Sequence, residues 1–418
     1  MPLRARRFAD RPRLTGLLLL AVALLLAGAL ATVAGAASKA SKPKASKPKA
    51  TVPGPVPQGF VGVDVDGPVF GSDSTIDFPA QLNTMVSNGV QSVRVAFSWA
   101  AAQPYQTDAD VPDDQKDNFT DVAGVPTSFK FTDMVVGDAA RDRVTVLPTV
   151  LYAPQWDAAS NPNGVGYPRQ YAPYGAYLTA VIDRYGPHGS FWRENPSIPK
   201  MPIRSWQIWN EPNLAYYWKQ PFASTYVSML KVAHAAVKKA DPGAQVVLGA
   251  LTNTAWKSLG QVYQVKGAKN LFDVVSVNGF TKIPANVIEF MVFVRRAMSR
   301  FGDGAKPLIA TELSWPSAKG ETHANLDFIT TRAGQARNIS ALLPLLGQQR
   351  LALHLTGFYW YTWIGEEDAN SGPFNYSGLL ADHDDKVTVK PALQAFKTGV
   401  LALEGCKRKG AVATSCIR

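Results

Sequence analysis

Two glutamates draw attention because each sits in an apolar, aromatic stretch. One lies in Trp209-Asn210-Glu211-Pro212-Asn213 and the other in Thr311-Glu312-Leu313-Ser314-Trp315. Burying a carboxylate without a partner is costly, so its presence there needs a reason. Taken singly, each glutamate reads most simply as a cap or a salt-bridge partner in a loop. Two carboxyls that face one another read differently. Cleavage of a glycosidic bond needs one acid to protonate the leaving oxygen and one carboxylate to attack the sugar or activate water. The two surroundings must hold the pKa values apart, so that one group keeps its proton while the other stays ionised. On this reading Glu211 is the candidate acid/base and Glu312 the candidate nucleophile.

The elements that would position them follow a regular alternation. Short β-rich runs occur at 60–64, 92–98, 144–150, 204–210, 245–251, 272–278, 307–313 and 354–361. They are apolar and β-branched, as strands covered on both faces should be. Helical patterns fall at 78–86, 129–141, 174–185, 222–240, 256–266, 285–300, 331–349 and 391–403. The fourth stops at Asp241-Pro242-Gly243 and the last starts at Pro391, both fitting helix ends. Eight alternating units predict an α/β fold, a (β/α)8 TIM barrel, with its chemistry at the carboxyl ends of the strands. An open doubly wound sheet is the alternative, weakened by the lack of a Gly-rich nucleotide fingerprint after the first strand. In a ring of eight, Glu211 on the fourth strand and Glu312 on the seventh face each other across the mouth.

The motif WNEPN after the fourth strand, with TELSW on the seventh, resembles the retaining (β/α)8 glycoside hydrolases of clan A. The resemblance covers about residues 58–403. QIWNEPN, Pro154-Gln155-Trp156 and the closing KPALQAF look most like family 39, with family 5 next. It implies a glycosidase working by double displacement, with a carbohydrate substrate and no cofactor. It also implies roles for further residues. Asn210 would hydrogen-bond the sugar 2-hydroxyl. Arg94 would pair with Glu312 and keep it ionised, as a nearby opposite charge does; the bland reading is a salt bridge without a catalytic role. Trp363 would stack on a sugar face, with Trp360 as competitor because alternation sends the two to opposite faces. Where the clan often has His-x-Tyr after the sixth strand, this chain reads Asn278-Gly279-Phe280. Phe cannot supply the tyrosine's hydrogen bond, and Asn278 would replace the histidine as a polar contact.

The remaining chain bounds the setting. Of a formal net charge of +11, residues 1–50 carry ten Lys and Arg against one Asp, which leaves +2 for the rest. A nucleic-acid surface is therefore not implied. An Arg-rich start, an uncharged stretch over 14–38 and Ala34-Gly35-Ala36 have the shape of a secretory signal (residues 1–37), or of an N-terminal anchor. The repeated Ala-Ser-Lys-Pro-Lys of 40–49 predicts an extended linker over 38–57, a spacer or a tether to membrane or cell wall. The protein is thus expected to be secreted or held at the cell surface. Cys406 and Cys416, in the tail 404–418, would close a short loop in an oxidising compartment. The acidic segments 101–128 and 365–386 should overhang the barrel mouth, and Tyr152, Trp156 and Tyr167 suit either sugar stacking or packing. No two of the five histidines have metal-ligand spacing, so no metal is implied. A transglycosylase, and a glycan-binding barrel without turnover, are the rival functions.

Overall fold

The computed structural model describes residues 55–71, 74–368, 372–383, 386–409 and 412–416, with side chains up to residue 405. The expected export segment and nearly all of the linker lie outside these residues. Eight strands form one parallel sheet: β1 (Val61–Asp64), β2 (Ser92–Ser98), β3 (Thr145–Leu151), β4 (Ser205–Ile208), β5 (Gln245–Val247), β6 (Val275–Asn278), β7 (Leu308–Leu313) and β8 (Leu355–Trp360). Their order is β5-β4-β3-β2-β1-β8-β7-β6. Isolated parallel bridges, Val247 to Val274 and Leu251 to Val277, join the two outer strands and close the ring.

Helices alternate with the strands: α1 (Phe78–Ser87), α2 (Lys130–Arg141), α3 (Tyr171–Tyr185), α4 (Ala223–Ala240), α5 (Ala255–Gln264), α6 (Pro284–Arg300), α7 (Arg332–Gln349) and α8 (Pro391–Glu404). The chain is a (β/α)8 TIM barrel, and its strands and helices fall where the apolar periodicity put them. Local chemistry sets several helix starts. Asp77 accepts from the Ala80 amide, Thr331 accepts from the Gly334 amide, and prolines open α6 and α8.

Alternation along each strand splits the core in two. On β2, Val93, Val95 and Phe97 turn outward, where Phe97 meets Tyr185 of α3 edge-on at 6.0 Å. Burying each such side chain contributes roughly 1.5–3 kcal/mol. Ser92 and Arg94 turn into the barrel. Its floor is apolar, made by Leu147, Val247, Val274, Ile309 and Tyr359. The Tyr359 hydroxyl meets Ser92 Oγ at 2.7 Å, and above that layer the interior becomes ionic. The ring of Tyr359 fills the space beside Gly62, whose register partner it is. A Cβ at Gly62 would lie 2.4 Å from that ring, which is why no side chain fits there.

Two loops depart from expectation. The acidic segment after β2 does not overhang the mouth. Asp117, Asp121 and their neighbours line a cavity of about 990 Å³ with Lys130 and Asp133 of α2 and Ala176, Thr179 and Asp183 of α3. The segment runs down the outer flank because a short hairpin, Thr120–Val122 with Val125–Thr127, folds it against α3. After β8 the chain forms an unforeseen small sheet of β9 (Ile364–Glu366), β10 (Leu380–His383) and β11 (Lys386–Val389). Buried Glu367 anchors it, accepting from Lys390 Nζ at 2.7 Å and Arg332 at 2.6 Å. At the end of the chain a hairpin of Cys406–Lys409 and Val412–Cys416 sets Cys406 opposite Cys416 in backbone register. The expected disulfide concerns side chains outside the described residues.

Candidate active site

The site is built around Arg94. Because β2 alternates, its guanidinium enters the barrel, where a bare charge would be prohibitive. Every contact therefore has a partner. Arg94 donates to Asp64 Oδ1 at 2.6 Å, Glu312 Oε1 at 2.9 Å, Gln207 Oε1 at 2.9 Å and Asn210 Oδ1 at 2.9 Å. One side chain thus ties together β1, β2, β7 and the end of β4. Burial pushes the Asp64 carboxyl well above the usual range against the pull of Arg94, and Asp64 Oδ2 is buried without a hydrogen-bond partner.

Glu211 reaches the same space through an unusual backbone. Trp209 and Glu211 have φ of 69° and 42°, a left-handed conformation that non-glycine residues adopt at a cost. The surroundings enforce it. Gln207 Nε2 donates to the Trp209 carbonyl at 3.0 Å, the Leu214 amide donates to the Glu211 carbonyl at 2.9 Å, and Asn213 Nδ2 donates to the Thr252 carbonyl at 3.0 Å. The turn re-aims the Glu211 carboxyl from the strand end into the mouth.

Asn278, the last residue of β6, connects the two acids. Its Oδ1 accepts from the Thr311 hydroxyl at 2.9 Å, which fixes the amide so that Nδ2 faces the carboxyls. Nδ2 donates to Glu211 Oε1 at 2.9 Å and, more loosely, to Asn210 Oδ1 at 3.4 Å. The Glu312 carboxyl interacts with the same amide. Asn278 is also the register partner of Glu312 on β7, which brings both acids into one neighbourhood.

The environments of the two acids differ. Burial, then the charge of Glu312, pushes Glu211 up to about 8, outweighing Asn278 and Arg94. Burial also raises Glu312, but there the first opposing influence is the guanidinium in direct contact. Glu211 is the proton holder, and Glu312 is the group favoured to ionise first.

The strand ends also bring in residues that the sequence reading passed over. Asp66, just beyond β1, accepts from Thr362 Oγ1 at 2.6 Å and from the Tyr361 hydroxyl. Half-buried Tyr361, next after β8, couples electrostatically to Glu312 and Asp66. Tyr217 hydrogen-bonds Asn210 and, like Tyr152, feels the charge of Glu312. The signal for Asp64 and Tyr361 was available: both end predicted strands, at the face where chemistry was expected.

Glu211, Glu312, Asn210, Arg94 and Asn278 therefore converge. Trp363 does not join them. Trp363 is fully buried, and its indole N–H donates to Gln81 of α1 at 2.9 Å. This corrects its expected role as a sugar platform. The Trp363 amide donates to the Asp64 carbonyl at 2.9 Å, which turns the chain outward and sends the ring between barrel and helix. Trp360 is also buried, donating to the Ser377 carbonyl at 3.1 Å. Trp156 packs edge-on against Trp99 at 5.6 Å, with its N–H on the Gln103 carbonyl at 2.8 Å. The aromatic rings beside the acids are those of Tyr361, Tyr217 and Tyr152. Beyond Tyr361 stand Phe280, at 6.3 Å, and Phe374, at 6.2 Å between ring centres, with Phe328 packed on both phenylalanines.

No family model and no curated protein matches this chain in sequence. Solved structures do match. A monomeric β-xylosidase from Caulobacter crescentus is 18% identical, with 82% of this chain and 68% of that chain covered at a TM-score of 0.59. A family 39 glycoside hydrolase from Bacteroides cellulosilyticus is 17% identical, with 83% and 64% covered at 0.58. The family 53 catalytic domain from Ignisphaera aggregans is 19% identical, with 82% and 98% covered at 0.52. The chain has the barrel fold of these glycoside hydrolases. At such identities the likeness concerns the fold, and the chemistry has to be argued from the side chains.

Proposed function

We propose that this protein is a retaining glycoside hydrolase, with Glu312 as nucleophile and Glu211 as acid/base. The observation that carries the reading is the convergence of two buried glutamates on one polar cluster, Glu211 bonded to Asn278 and Glu312 bonded to the buried Arg94 guanidinium. The retaining assignment follows the clan resemblance; it requires carboxyl groups about 5–5.5 Å apart, whereas inversion requires roughly 6.5–9.5 Å. The barrel shared with β-xylosidases and other glycosidases points the same way.

In this mechanism Glu312 attacks the anomeric carbon while Glu211 gives its proton to the departing oxygen. The glycosyl ester on Glu312 is then opened by a water whose proton Glu211 takes. Arg94 keeps Glu312 ionised before attack. Asn210 spends its Oδ1 on Arg94 and Asn278, which leaves its Nδ2 to donate to Tyr217 or to a sugar hydroxyl. Export through the N-terminal segment, followed by action on an extracellular oligo- or polysaccharide, completes the proposal; the Arg-rich start and A-x-A pattern support it.

The test is a panel of aryl glycosides and bacterial polysaccharides, with the first-formed product followed by proton NMR. Retention of anomeric configuration is expected, and inversion refutes the mechanism. Glu312→Ala should abolish turnover. A non-catalytic glycan-binding barrel would show no turnover in the wild type and unchanged glycan affinity in the variant.

A further inference from the structure

The composition of the site's walls narrows its substrate. Four carboxyls, of Asp64, Asp66, Glu211 and Glu312, gather at the mouth around one cation. Among the described residues no lysine, no histidine and no second arginine hydrogen-bonds any of the four. Even with Glu211 and Asp64 both holding their protons, the carboxyls of Asp66 and Glu312 face the single positive charge of Arg94. That guanidinium is already committed: four of its five N–H groups are engaged by Asp64, Glu312, Gln207 and Asn210. It has no pair of parallel donors left for the two-pronged grip by which arginine recognises a carboxylate or sulfate. Beside the acids, Tyr361 leads into an aromatic cluster of Phe280, Phe328 and Phe374. A ring face carries negative quadrupole density, which attracts C–H groups and cations and repels anions.

We infer that the site accepts sugars that are uncharged or carry an amine, and rejects uronic acids and sulfated sugars. The inference rests on the hydrolase reading and adds the charge class of the substrate. Its physical basis is a buried cluster whose carboxylates outnumber its one committed guanidinium, where an incoming anion meets uncompensated repulsion and a cation is drawn in.

The experiment compares 4-nitrophenyl glycosides in pairs that share ring configuration: glucoside with glucuronide, galactoside with galacturonide, and mannoside with mannuronide. In whichever configuration is cleaved, kcat/KM for the uronide should fall at least 100-fold below its neutral partner. Asp66→Asn should narrow that ratio about tenfold. A uronide cleaved within tenfold of its partner, or a ratio untouched in the variant, overturns the inference. Cleavage of no pair member speaks against the hydrolase reading, and a binding arm then decides the charge class. Calorimetry of the wild type with 1-deoxynojirimycin, a protonated sugar mimic, and with glucuronate should show binding of the cation alone. Equal binding, preference for the anion, or binding of neither overturns the inference.

Discussion

Replacing Glu211 with Gln should stabilise the fold by an amount that grows with pH. In the native protein the Glu211 carboxyl is pushed from 4.5 up to about 8, first by burial and then by Glu312. The native state therefore holds this proton more tightly than the unfolded chain does. That preference supports folding fully below pH 4.5 and is lost as pH rises through about 8. At 1.36 kcal/mol per pH unit the whole loss is about 5 kcal/mol, of which about 3–4 kcal/mol falls between pH 5 and pH 8. Gln keeps the shape and an oxygen to accept from Asn278, but carries no titrating proton. Urea unfolding of both proteins at pH 5, 6.5 and 8 checks this. The stability gap should widen in favour of Glu211→Gln across the series, while hydrolysis of substrates with poor leaving groups drops on the order of 10²–10⁴-fold. Parallel stability curves would refute the argument that this acid is held protonated by its surroundings.

Other consequences follow from the same geometry. Arg94→Met leaves Asp64 and Glu312 without their shared cation, so the acid limb of the kcat/KM profile should move to higher pH and activity should fall about 100-fold or more. Gly62→Ala drives a Cβ to 2.4 Å from the Tyr359 ring, and a loss of roughly 1–3 kcal/mol in denaturant unfolding is expected, with the pH profile of the folded enzyme unchanged. Trp363→Phe breaks the bond to Gln81 and should lower stability by about 1–3 kcal/mol while leaving KM unaltered; a KM rise of tenfold would return Trp363 to the sugar site.

The barrel was legible in the sequence because parallel strands buried on both faces must be apolar, and because amphipathic helices of matching length separate them. Glu211 and Glu312 were legible because a carboxylate beside Trp and Leu at a strand end is conspicuous. What escaped depends on closure of the ring. Asp64, Asp66 and Tyr361 become neighbours only because β1 pairs with β8, strands almost 300 positions apart in the chain. The role given to Trp363 failed for a local reason. Two-residue alternation holds within a strand, but β8 ends at Trp360 and the chain then turns, so alternation no longer decides which ring faces the acids. The path of the acidic segment over 101–128 was likewise beyond composition. Its charge marks it as solvated, and only the hairpin within it decides that it lies along α3 rather than over the mouth.

The central claim is that Glu312 forms the covalent intermediate. A 2-deoxy-2-fluoro aryl glycoside of the sugar found in the panel slows breakdown of the ester and lets it accumulate. Peptide mass spectrometry of the trapped enzyme should then find one fluorosugar on Glu312. An adduct on Glu211 or elsewhere, or turnover with inversion and no adduct, would contradict the account.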